Sequence, residues 1–284
     1  MKFSEKLGYT SVKDIVQLES MDSALRNGLW SLLQIYVWNN IREPYHSHTL
    51  VSETNRELKA LLSRLCLHYF KHPLDTLTDN WKKEIAALRE YFFAAPWFEV
   101  YDFVEFVADN YGRRQFKGDF LKACNSLLER EISAYRFVDG VLCRITEKEQ
   151  IDEVERALNS AQGPVRAHLQ RALELLSSRD APDYRNSIKE SISAVESLVS
   201  LILKSDKGTL GQLLKKLEDE FGLHPALKTS FSNLYGYASD EGGIRHAMLE
   251  LPTLKFEDAL FFLVACSGFV SYVQSKTAVS SAPP

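Results

Sequence analysis

Leu25, Leu29, Leu32, Leu33 and Tyr36 recur at i, i+4, i+7, i+8 and i+11 along 21–40, the period of an amphipathic helix. The same period predicts helices over 53–71, stopped by Pro73, and over 79–95, closed by Pro96. It continues through the aromatic-rich 97–110 and through 115–134, and then lapses. Over 135–145, β-favouring residues lie on both sides of Asp139-Gly140, the pattern of a hairpin with a two-residue turn. Thr146 and Glu149 stand at capping-box spacing and predict a helix over 147–160, broken by Gly163-Pro164. Five more helices are expected, over 164–178, 182–204, 209–221, 225–238 and 254–275. Pro182 suits the first turn of its helix, and Thr253 is placed to cap the last. The expected fold is mostly α. Residues 1–145 form a helical domain ending in the hairpin, 146–276 a second helical domain, and 277–284 a frayed polar tail.

Length and composition fit that picture. The 284 residues are 45% hydrophobic and 25% charged, enough to bury two cores without metal or disulfide support. With 34 Lys+Arg against 38 Asp+Glu, the net charge of −4 excludes a general duplex-coating protein. Cys66, Cys124, Cys143 and Cys266 form no Cys-x-x-Cys pair, so reduced thiols with no disulfide partner are expected. The first eight residues lack the apolar run of a signal peptide, and the longest uncharged apolar run, 259–273, is short for a bilayer span. A cytoplasmic protein without membrane contact is the expectation.

Candidate chemistry is sparse. His68 and His72 share a face if their helix is regular, with Cys66 turned away, but the flanking residues do not make a zinc-protease motif and no metal is expected. Phosphate-binding loops, dinucleotide fingerprints and a nucleophile elbow are absent, and no cofactor is expected. The segment from Tyr235 to His246 is more informative. It carries a helix into Asp240-Glu241-Gly242-Gly243 and then presents Arg245 beside His246. An imidazole moves protons near neutral pH, and a guanidinium binds phosphate oxygens. Together they suit cleavage of RNA, whose own 2′-hydroxyl is the nucleophile. On the 182–204 helix, taking Ile188 as zero, Arg185 falls at about 60° and Glu196 at about 80°, beside the apolar stripe, and Glu190 at about 200°, on the solvated side. Arg185, Glu196, Glu190 and Asp240 are therefore candidates to support the pair, and Tyr235, Tyr237 and Lys189 to bind substrate.

The runs 183–196 and 234–246, with 3–8, Leu29-Trp30, 101–106 and 135–137, resemble bacterial AbiJ-type abortive-infection proteins. The resemblance implies a helical N-terminal domain followed by a HEPN-like domain. HEPN domains are compact helical bundles, usually dimeric, in which an Arg and a His cut RNA without metal, often in phage defence. It therefore implies RNA as substrate, a homodimer formed through the C-terminal domain, and Arg245 and His246 as the catalytic pair. The family's usual pair is separated by four to six residues, whereas Arg245 and His246 are adjacent. The alternative reading is a non-catalytic dimerisation, nucleotide-sensing or regulatory module.

Overall fold

The computed structural model describes residue 3 and residues 16–40, 56–111, 114–178, 182–205, 208–239 and 254–280. Contacts divide the chain into two compact units, Met1–Thr146 and Glu147–Pro284. Eleven α-helices and one two-stranded hairpin are found among the described residues.

In the first unit the helices are α1 (Ser23–Tyr36), α2 (Arg56–Arg64), α3 (Trp81–Ala94), α4 (Trp97–Asn110) and α5 (Arg114–Arg130). Leu25, Leu29 and Leu33 point the predicted stripe of α1 into a core shared with Leu61, Phe92, Phe103, Phe120 and Leu128. Gly28 is what lets α5 close on α1: a Cβ there would lie 2.6 Å from a Leu127 methyl. The N-cap Asp22 accepts from Leu25 N, satisfying one of the free amides of the first turn. Arg26 reaches across to the far end of α3, where its guanidinium donates to the carbonyls of Phe92, Phe93 and Ala95 at 2.8, 3.3 and 2.7 Å. Those carbonyls have no partner within the helix, and a cation there also meets the negative end of the helix dipole.

β1 (Arg136–Val138) and β2 (Val141–Cys143) pair antiparallel, with Phe137 opposite Leu142. Positive φ at Asp139 and Gly140 makes the tight turn that the Asp-Gly pair announces. A lone hairpin exposes unpaired edges, and side chains cover them here. The Asn125 amide brackets Phe137, donating to its carbonyl and accepting from its N–H at 2.8 and 2.7 Å. The Glu105 carboxylate accepts from Leu142 N.

The second unit contains α6 (Lys148–Ser160), α7 (Gly163–Ser177), α8 (Tyr184–Leu203), α9 (Leu210–Phe221), α10 (Pro225–Ser239) and α11 (Phe256–Ser280). Helix α8 is its centre and packs against α7, α9 and α11. Ser187, Ser191 and Ala194 are buried, and Ser187 Oγ donates to Ala172 O across the close α7–α8 approach.

Four local expectations need correction. The Thr146–Glu149 capping box does not form; Glu147 is the N-cap of α6 and gives no side-chain bond. Pro182 precedes the first turn of α8, because Asp183 takes the cap and accepts from Asn186 N. The helix expected over 53–71 gives way at Leu65–Tyr69 to a π-helical turn, closed by Phe70 N to Leu65 O. Finally, α11 continues to Ser280, through the first four residues expected in the frayed tail; Thr277 Oγ1 bonds back to Val273 O within it. At 25 residues α11 is long and apolar enough to cross a bilayer by length and composition, yet 44% of its most apolar stretch is buried inside the unit.

Candidate functional site

Helix α8 carries four of the expected site residues. Arg185, Lys189 and Glu196 follow one another at i, i+4 and i+11, which places them on one side of the helix. Arg185 and Glu196 are half-buried and Lys189 is exposed. Eleven residues at ~1.5 Å rise put Arg185 and Glu196 about 16 Å apart along the axis. They therefore serve opposite ends of any groove along that side and do not meet at one phosphate.

Glu190 is not on a solvated face. Its Oε2 lies 2.6 Å from His168 Nδ1 on α7, and both side chains are partly covered. Large apolar residues alone define a stripe around Ile188, and by that measure Glu190 is opposite. The buried arc is wider: Ser187, Ser191 and Ala194 extend it toward Glu190, so α7 packs beside that carboxylate. His168 was not among the residues the sequence pointed to. A small-residue seam such as Ser187–Ser191–Ala194 is the signal that a second helix lies on that flank, but nothing in the spacing singles out His168 on that helix.

Tyr235 and Tyr237 lie on α10. Tyr235 is half-buried, whereas Tyr237 is 54% exposed and stacks on Phe262 of α11 at 5.8 Å and 14°. Phe231 meets Phe269 at 3.7 Å one to two turns earlier. The end of α10 is thus held against α11. Asp240, Arg245 and His246 lie outside the described residues, in the stretch that joins these two helices.

His68 and His72 do not share one face of a regular helix. The π-turn and a left-handed Lys71, φ 56°, break the regular four-residue repeat, so His72 falls beyond the helix end. Cys66 is buried and its Sγ is directed to the carbonyls of His72 and Pro73. Among the described residues no group of three or more His, Cys, Asp or Glu side chains is placed to hold a metal ion. All four thiols are free and buried, and burial pushes Cys266 up to about 12.

The AbiJ N-terminal domain 4 family matches residues 1–160, and the chain belongs to that family. Membership places it among AbiJ-type abortive-infection, anti-phage proteins. The match runs past the boundary of the two compact units and takes in α6. No curated protein and no solved structure gives a significant match.

Proposed function

We infer that the chain is an abortive-infection effector whose C-terminal helical unit is a HEPN-like, metal-independent ribonuclease acting as a homodimer. The observation that carries this reading is where the Asp240–His246 sequence falls. The Asp240–His246 sequence follows directly on α10, whose end is held on α11 by the Tyr237–Phe262 stack, in a chain of the AbiJ family. In this reading His246 takes the proton of a ribose 2′-hydroxyl. The freed oxygen attacks the adjacent phosphorus, the 5′-oxygen leaves with the proton returned by the His246 imidazolium, and the products are a 2′,3′-cyclic phosphate and a 5′-hydroxyl. Arg245 binds the non-bridging oxygens as negative charge grows on them. Arg245 and His246 are neighbours in the chain, and in this reading Arg245 of one protomer pairs with His246 of the other across the dimer. Exposed Phe261 and Tyr272 on α11 support a second copy on this unit.

The test uses purified protein and single-stranded RNA in chelator. Cleavage to cyclic-phosphate ends is expected, lost in His246→Ala and Arg245→Ala with helicity intact. Cleavage that survives His246→Ala, or that chelator abolishes, overturns the mechanism. Phage protection that persists without RNA cleavage favours the second reading, a non-catalytic dimerisation, nucleotide-sensing or regulatory module. The adjacency of Arg245 and His246, unlike the family's spaced pair, is the feature that favours it.

A further inference from the structure

The first unit contains a cavity of about 410 Å³ between the π-turn and α3, far from any residue of the proposed ribonuclease in sequence. That volume is within the roughly 300–1,000 Å³ range of small-molecule sites. Its wall is mostly hydrocarbon and aromatic: Leu62, Leu65, Phe70, Leu77 and Leu88 line it. The π-turn is part of how it forms. An i→i+5 turn carries one residue more than an α-turn and resets the helical phase, so Leu65, Cys66 and Phe70 all border the same space. Such turns are uncommon in helices and recur at functional sites.

The polar groups on the wall, Cys66, His72, Thr76, Glu84 and Tyr91, differ in what they have left to offer; the His72 ring is stacked on Phe70. Cys66 Sγ is engaged with backbone carbonyls and with Thr76 Oγ1. Tyr91 is committed as well: its hydroxyl donates to Glu99 Oε2 at 2.9 Å and meets Tyr69 Oη at 2.9 Å. Burial and those two partners hold its phenol protonated, well above the usual tyrosine range. Glu84 is different. Its Oε1 accepts from both Thr78 N and Thr78 Oγ1, at 3.0 and 2.5 Å, which fixes the carboxylate, while its Oε2 takes no hydrogen bond from the described residues. An oriented carboxylate with a spare oxygen, set in an apolar aromatic wall, is an acceptor that asks for a donor.

We propose that this cleft is a binding site for a small aromatic ligand bearing an amidine- or amine-type N–H head. The ring lies against the leucine and Phe70 wall, and the head donates to Glu84 Oε2. A hydrogen bond to an ionised carboxylate is shorter and stronger than one between neutral groups. An anionic head on the same ring meets the Glu84 charge and is disfavoured.

The probes are benzamidine and benzoate, which share a ring and differ in the head, followed with full-length protein by ligand-observed NMR titration. Saturable benzamidine binding is expected, with benzoate bound at least about tenfold more weakly. Glu84→Gln keeps the contact to Thr78 and removes the charge, and it should weaken benzamidine by about tenfold. Ala87 is exposed and lines the cleft, so Ala87→Trp plugs it from the surface and should abolish binding with the circular dichroism unchanged. No saturable benzamidine binding overturns the proposal. So does equal binding of benzoate, or benzamidine binding that neither Glu84→Gln nor Ala87→Trp alters. None of these outcomes bears on RNA cleavage by Arg245 and His246, so the two readings fail separately.

Discussion

Arg26 is a cationic cap supplied from a different helix, and its removal has a size that the geometry sets. Arg26→Met keeps much of the apolar stem and deletes the guanidinium, leaving the carbonyls of Phe92, Phe93 and Ala95 without their donor. Hydrogen bonds to a charged group contribute ~1.5–3 kcal/mol each. The three are not independent, because one Nη1 serves all of them, and Arg26 is only half-buried, so water replaces part of the loss. Burial already lowers the Arg26 pKa, which marks a desolvation cost that disappears with the charge. The net is a loss of about 2–3 kcal/mol from the first unit. A convenient readout exists, since all four tryptophans, Trp30, Trp38, Trp81 and Trp97, fall in residues 1–146, and tryptophan fluorescence excited selectively therefore reports that unit alone. Trp30 packs on Phe92 at 5.2 Å, beside the cap itself. With a urea slope of ~1–3 kcal/mol per molar, the fluorescence midpoint should fall by about 0.7–3 M. Arg26→Lys, a single charged group without the fork, should fall between the two. A midpoint shift below about 0.3 M for Arg26→Met would refute the reasoning, because an engaged cap cannot be that cheap to lose.

Other consequences are smaller or more local. Gly140→Ala forces a side chain into φ +90° and should cost the same fluorescence transition about 1–2 kcal/mol; an unchanged midpoint would mean that the turn relaxes. Burial raises Tyr101 to about 12 although its hydroxyl is bonded to Ser133. The folded state therefore holds a proton that the unfolded chain releases from about pH 10. The sign follows: this contribution is fully present below pH 10 and is lost as pH rises toward 12, so the wild-type midpoint should fall over that window more steeply than that of Tyr101→Phe. Parallel pH profiles for the two proteins would contradict it. His168→Ala and Glu190→Ala should be non-additive by about 0.5–1 kcal/mol in a double-mutant cycle read by circular dichroism, and strict additivity would dissolve the pair.

The parts of the fold that the sequence revealed are those fixed by local chemistry. The α1 stripe, the Asp139-Gly140 turn and helix α9, expected over 209–221 and found over Leu210–Phe221, each depend on neighbours within a few residues. What escaped the sequence depends on a distant partner. The cap on α3 comes from Arg26, the cover for the hairpin edge from Asn125, and the partner of Glu190 from His168. Glu190 also shows why an apolar stripe misleads when serines are buried: Ser187 and Ser191 read as polar, yet their hydroxyls bond to backbone carbonyls and they pack as small core residues. The π-turn was invisible for a similar reason, since Leu65 and Tyr69 keep a helical spacing whichever way the turn is bonded. Of the candidate site, the composition and order of the Tyr235–His246 segment could be read directly, whereas the position of the cleft in the first unit could not, because its lining comes from separate elements.

Helix α6 is claimed by both halves of the chain, and its packing decides which half it stabilises. By family it belongs with residues 1–160, yet it lies in the second unit and packs against α11. Ile151, Val154, Ala157 and Leu158 give it one fully apolar face. At its end the Ser160 hydroxyl bonds Gln274 Oε1 at 2.7 Å, and Gln274 Nε2 returns to Ser160 O. An amphipathic helix of 13 residues is marginal in water without such a partner surface. Cutting after the family boundary therefore strips the second unit of a wall, whereas cutting at the structural boundary leaves it whole. A fragment spanning 147–284 should fold and run as a discrete species on gel filtration, and one spanning 161–284 should aggregate or lose helicity, through the apolar face of α11 left bare. A 161–284 fragment that folds as well as 147–284 would show that the second unit does not need α6 as a wall.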